Sequence, residues 1–201
     1  MPGPLAGLKV LDFSTLLPGP FATMMLADLG ADVLRVESPS RPDMVRMMPP
    51  ISSDGNSAAH GYLNRSKRSI AVDLKTPEGL EVVRRLVREY DIVIEQFRPG
   101  VMDRLGAGYE ALSAINPGLI YCSITGYGQT GPYKDRAGHD MNYLAIAGVL
   151  GYNGRKASGP GPIAVQVADV AGGSCHAVIG ILAAVLHRGR TGEGQYIDVS
   201  M

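Results

Sequence analysis

Two side chains in one stretch are suited to moving a proton. His139 stands in Gly138-His139-Asp140, and Asp169 stands in Ala168-Asp169-Val170, just ahead of a long apolar run. An imidazole and a carboxylate beside a cleft make a two-base set for proton transfer. Taken singly, each also has a structural reading. His139 reads as a hydrogen-bonded structural histidine, and Asp169 as the N-cap of the helix that follows it. Gly172-Gly173, just behind Asp169, read either as close approach of another group to that helix start or as a loosened first turn.

A second set of residues suits anion binding. Arg65, Lys67, Arg68 and Lys75 flank an apolar stretch at 69–73, and Arg98 and Arg104 follow another at 91–96. Solvated loop charge is one reading. Phosphate binding is the other, because ligands of open α/β sheets sit beyond the carboxyl ends of strands. Lys75, Arg98 and Leu17-Pro18 all follow predicted strand ends, so three loops can share a crevice where basic groups meet a polyphosphate.

Other motifs carry less. Gly126-Tyr127-Gly128-Gln129-Thr130-Gly131 matches the dinucleotide fingerprint by letter, but Pro132-Tyr133-Lys134-Asp135 continues it without a helical period. It also follows the wrong strand, and is read as a turn-rich loop. His60, His176 and His187 have no partner at metal-ligand spacing, and no Gly-x-Ser-x-Gly elbow is present. No metal and no prosthetic group is expected.

The elements that must place these residues alternate. Strands are expected at 8–13, 32–37, 69–73, 91–96, 119–125 and 195–199. Helices are expected at 21–29, 77–90, 101–105, 109–115, 139–150 and 171–187. Pro20 suits the first turn of its helix, Gly30 ends that helix, and Thr76 caps the one that begins at Pro77. Strand, loop, helix and strand within the first forty residues make a βαβ unit, so the strands should run parallel under helices on both faces. The polar, proline-bearing stretch 38–64 reads as a long surface excursion, functional or partly helical.

The 201 residues suit one α/β domain, and 19 basic against 19 acidic side chains point to no nucleic-acid partner. Cys122 and Cys175 lie in apolar runs and read as reduced thiols of a cytoplasmic protein. The N-terminus lacks a signal-peptide pattern, and the apolar run at 177–186 is too short to span a bilayer, so no membrane is expected. The last strand pattern, Gln195 to Met201, stops without a turn, which reads as a chain cut short.

Several segments together are similar to a known family. They are Leu5–Asp12, Pro18-Gly19-Pro20, Leu26–Val33, Lys67-Arg68-Ser69, Asp73-Leu74-Lys75, Arg98-Pro99-Gly100 with Arg104-Leu105-Gly106, Thr125–Pro132, Gly138–Tyr143 and Gly192–Gln195. In this order they resemble the class III CoA-transferase superfamily (CaiB/BaiF-like), and within it the α-methylacyl-CoA racemase branch. The resemblance implies a Rossmann-like large domain, interlocked homodimers, and an acyl-CoA substrate that brings coenzyme A as part of itself. It implies a CoA site lined by Leu17, Pro18, Val72, Asp73, Leu74, Lys75, Gln96, Phe97, Arg98 and Arg104. Ser38 stands where related proteins often carry an arginine.

The resemblance also gives the central pair two roles. In racemases, Gly-His-Asp followed by Asn-Tyr marks the branch, and residues matching His139 and Asp169 exchange the α-proton of 2-methylacyl-CoA on opposite faces. In transferases, the aspartate matching Asp169 attacks the thioester and carries the acyl group and then CoA, usually with a tyrosine in place of His139. A helix start would hold Asp169 ionised, and amides near Gly172-Gly173 would face the enolate oxygen. A small domain present in family members is missing here, so a CoA-binding fragment without turnover is a third reading, with exposed apolar surface expected.

Overall fold

The computed structural model describes residues 2–53 and 55–201. In chain order the elements are β1 (Lys9–Asp12), α1 (Pro18–Asp28), β2 (Asp32–Glu37), α2 (Ala58–Leu63), β3 (Lys67–Ala71), α3 (Pro77–Val87), β4 (Ile92–Glu95), α4 (Val101–Arg104), α5 (Tyr109–Ser113), β5 (Ile120–Thr125), α6 (Asp140–Ile146), β6 (Gly154–Arg155), β7 (Gly159–Pro160), α7 (His176–Thr191) and β8 (Tyr196–Ser200). Six strands form one sheet in the order β3-β2-β1-β4-β5-β8. Every neighbouring pair in it is parallel. This is the doubly wound α/β arrangement that the alternation of strands and helices predicts.

Two apolar layers clamp the sheet. On one face Val10, Ile92, Ile94, Ile120 and Ile124 pack under Ala22 and Leu26 of α1 and Val178 and Ile181 of α7. On the other face Leu11, Leu34, Val93 and Tyr121 pack under Val83 and Val87 of α3, Met102 of α4 and Leu112 of α5. The chain reverses direction across the sheet between β1 and β4, so the loops after these strands open a crevice at the carboxyl edge.

Three boundaries differ from the sequence expectation in ways that matter for the site. β3 begins at Lys67, two residues earlier than the expected 69. It is the edge strand and largely exposed, so alternation marks it poorly. The helix expected at 139–150 stops at Ile146, because Gly148 turns into the left-handed region at φ 79° and a short 3-10 turn, Val149–Tyr152, follows. The last long helix starts earlier and ends later than expected. It runs unbroken from Ala168 to Thr191, and its first eight residues, Ala168–Cys175, form a π-helical segment.

That helix is longer than the apolar run expected at 177–186. At 24 residues it is long and apolar enough to cross a membrane by length and composition. Ala177, Val178, Ile181 and Ala184 pack on the sheet, while Ile179 and Leu186 on the same helix are exposed. The excursion at 38–64 is partly helical, holding a 3-10 turn at Met44–Met47 and α2. Both cysteines are free, with Cys122 buried in the first core layer.

Candidate active site

His139 and Asp169 come together through a third residue. Asp140 opens α6 and is buried, and its Oδ1 accepts the backbone N–H of Asp169 at 3.0 Å. His139 is the N-cap of α6, where its own N–H donates to Oδ1 of Asn142 at 2.9 Å. The imidazole is exposed. The sequence pattern marked the histidine and not the acid beside it.

Asp169 is not the N-cap expected for it. It is the second residue of the π-helical segment and half-buried. Burial, then the neighbouring charge of Asp140, push its carboxyl up to about 6, while the His139 imidazole pulls the other way. Asp169 does lie in the first turn of the helical segment, where the dipole favours the ionised form, but desolvation of the carboxylate opposes it. An acid–base group near neutral pH matches the requirement of a general base that must also return a proton.

Gly172 and Gly173 do reflect close approach. A Cβ on Gly172 would lie 2.7 Å from the Met201 carbonyl oxygen, and one on Gly173 would lie 3.2 Å from Cβ of Pro18. The space beside them is filled by the chain's own residues. Ser174, just after them, donates from Oγ to the Pro18 carbonyl at 2.7 Å and to the Asp169 carbonyl at 3.1 Å. The start of α1 is thereby tied to the segment that holds Asp169.

The loop before α1 is held from two sides. Leu16 adopts φ 62°, unusual for a side-chain-bearing residue, and the buried Asp43 carboxylate accepts its N–H at 3.2 Å. Asp43 is paired in turn with Arg35. Pro18 and Pro20 have no N–H, and the Gly19 N–H donates to Oε1 of Gln96 at 2.9 Å. Leu17, Pro18 and Gln96 are therefore adjacent.

Of the other expected cradle residues, Leu74, Lys75 and Arg104 line one cavity of about 400 Å³ with Thr76, Leu80 and Arg84. Lys75, Arg84 and Arg104 give it three cations and no carboxylate, the charge pattern of a polyphosphate site. Arg84 was not singled out from the sequence. It sits on the polar side of α3, where it resembles any solvated helix charge. Val72 and Phe97 pack against the second core layer. Asp73 turns onto its own loop, where Oδ1 accepts the Lys75 N–H at 3.0 Å. Arg98 lines a separate cavity of about 210 Å³ beside Glu95 and Ser123.

The basic residues around β3 are structural. Lys67 is buried and paired with Asp12 at 3.3 Å, and it donates to Thr23 Oγ1 at 2.7 Å. Arg65 pairs with Asp28 and Arg68 with Asp32. Their spacing in the sequence offers a phosphate cluster. Instead their charges are met by acids of β1, α1 and β2. The 126–131 stretch is a bent loop that opens no helix. Gly126 makes room for a ring, since a Cβ there would lie 2.5 Å from Oη of Tyr143. Tyr143 is buried beside Ala168, and its hydroxyl is pushed up to about 12 by burial and by the charge of Asp169. Among the described residues no group of three or more His, Cys, Asp or Glu gathers as a metal site.

Residues 5–201 match the model of CoA-transferase family III. The chain is 47% identical to a succinate–glutarate CoA-transferase of Agrobacterium fabrum, covering 98% of this chain and 51% of that protein. It is 44% identical to the α-methylacyl-CoA racemase of Homo sapiens, covering 98% and 48%. A crystal structure of a CAIB/BAIF family protein from Brucella suis superposes with a TM-score of 0.94 at 46% identity, covering 100% and 53%. The chain spans about half the length of the curated relatives it matches.

Proposed function

The chain belongs to CoA-transferase family III, and from that premise we propose that it is an acyl-CoA racemase or epimerase of 2-methyl-branched thioesters, or the N-terminal half of one. One observation carries the reading. His139 and Asp169 stand together through Asp140, and burial lifts Asp169 into the pH range where it both takes and gives a proton. One of the pair removes the α-proton of the thioester, leaving an enolate. The other delivers a proton to the opposite face of the same carbon. The CoA portion lies along the carboxyl edge, with Lys75, Arg84 and Arg104 meeting its phosphates.

Exposed apolar side chains near the pair support a covering partner. Met141, Ile146, Val149 and Tyr152 lie on α6 and the turn after it, and Val165 lies ahead of Asp169. A homodimer whose second subunit closes this side is part of the proposal.

The identity with a CoA-transferase supports a second reading, in which the Asp169 carboxylate attacks the thioester carbonyl and CoA thiolate leaves. Incubating the protein with one epimer of a 2-methylacyl-CoA in deuterium oxide separates the two. Deuterium at Cα without any acceptor acid is the outcome expected here. CoA moving to succinate or glutarate, with a hydroxylamine-trapped adduct on Asp169 and no α-deuterium, would sink the racemase reading.

A further inference from the structure

The turn after β4 carries Gln96, Phe97 and Arg98, and it rests on a carboxylate that the proton-transfer chemistry does not use. Glu95 closes β4 and is 4% exposed. Its Oε2 accepts the Phe97 N–H at 2.7 Å. The Ser123 hydroxyl, opposite Glu95 in the β4–β5 register, donates to the same carboxylate. Ser123 Oγ accepts in turn from the Tyr196 hydroxyl at 3.1 Å. A line of hydrogen bonds thus crosses three strands, from β8 through β5 to β4, and ends on a backbone N–H of the turn.

The same turn reaches the centre of the site. Gln96 accepts the Gly19 N–H, the Pro18 carbonyl accepts from Ser174, and Ser174 also donates to the Asp169 carbonyl. A change at the Phe97 N–H therefore acts on a turn that is bonded to the start of α1. We infer that Glu95 is a positioning residue for acyl-CoA binding: its ionised form holds the Phe97 N–H and sets Gln96 and Arg98, and its protonated form relaxes that hold. This rests on the reading of the 96–98 turn as part of the CoA cradle.

The electrostatic surroundings give the group a titration in the working range. Burial is the largest influence and pushes the Glu95 carboxyl up to about 7, against the Ser123 and Phe97 hydrogen bonds, with Asp103 and Asp198 adding to the rise. The groups around it are Arg98 on its own turn, Asp103 on α4, Tyr109 and Glu110 on α5, Tyr121 on β5, and Tyr196 and Asp198 on β8. Asp198 is itself engaged, accepting the Gln129 N–H at 3.0 Å. A charge-assisted bond to Phe97 is about twice as strong as a neutral one, so with CoA binding only the held turn the affinity changes by at most roughly three- to tenfold.

The test compares wild type with Glu95→Gln, whose amide oxygen still accepts the Phe97 N–H at every pH. CoA affinity is measured by calorimetry between pH 5.5 and 8.5, and the Phe97 amide resonance is followed by NMR over the same range. Taking the ratio of the two proteins' Kd values cancels the titration of the CoA phosphates. The ratio should change by up to about three- to tenfold across the range, and the Phe97 resonance should titrate in wild type and not in Glu95→Gln. Ser123→Ala removes the hydroxyl that favours the carboxylate, so its Phe97 midpoint should move up, which a merely structural role would not produce. A flat ratio with CoA bound, or a Phe97 resonance that titrates equally in Glu95→Gln, overturns the inference and leaves the cradle standing. Failure of wild type to bind CoA at any pH removes the cradle reading and this inference with it.

Discussion

Replacing Asp140 by asparagine isolates one of the two influences that tune Asp169. Asparagine keeps an oxygen at the position that accepts the Asp169 N–H, so the 3.0 Å bond and the local backbone are retained. Only the charge is lost. The Asp169 carboxyl stands at about 6 against an ordinary 3.8, with burial the larger cause and Asp140 the second. Removing the smaller of the two should bring the midpoint down by about half to one pH unit, and not back to the ordinary value, because burial remains. The sign follows from the charge: without Asp140 the Asp169 carboxylate is less costly, so it persists to lower pH. Carboxyl-detected NMR of the 201-residue chain reads that midpoint without any need for turnover. In an active form, the acid limb of α-proton exchange should move the same way by the same amount. An unchanged or raised midpoint in Asp140→Asn would refute the view that these two carboxyls share a field.

Three further expectations follow from the packing. Lys67→Met should cost about 3 kcal/mol in urea denaturation, because it leaves the buried Asp12 carboxylate without its cation. Adding Asp12→Asn should recover part of that loss, and a single variant as stable as wild type would contradict the pairing. Gly126→Ala should cost about 1–3 kcal/mol by thermal melting and displace the Tyr143 ring, since the new methyl meets Oη at 2.5 Å. An unperturbed Tyr143 in that variant would count against the role given to the glycine. Arg84→Ala, outside every motif read from the sequence, should weaken CoA binding about tenfold by calorimetry while leaving Asp169's titration alone. Undiminished affinity would take Arg84 out of the cradle.

The fold was largely legible because its signals are local. Short apolar strands, the Thr76 cap with Pro77, and the loop–helix spacing all act within a few residues, and the parallel sheet follows from them. The errors fall where distant residues decide. Arg65, Lys67 and Arg68 looked like an anion site because Asp28, Asp12 and Asp32, which neutralise them, lie on other elements. Asp169 looked like a cap because a π-helical start is not encoded in apolar spacing, and Met201 and Pro18 pack against Gly172 and Gly173 from the far end of the chain and from α1. His139 and Asp169 were legible by type and position. Asp140, which joins them, was legible only as a neighbour in a motif, because its partner is a backbone N–H twenty-nine residues away.

Epimer-resolved exchange in deuterium oxide tests the two-base pair most directly. Each 2-methylacyl-CoA epimer is incubated separately with wild type, His139→Ala and Asp169→Asn, and α-deuterium is followed by mass spectrometry. Wild type should exchange both epimers, His139→Ala only one of them, and Asp169→Asn only the other. Exchange of both epimers at wild-type rates by His139→Ala, or loss of the same epimer in both variants, would contradict proton transfer by His139 and Asp169 on opposite faces.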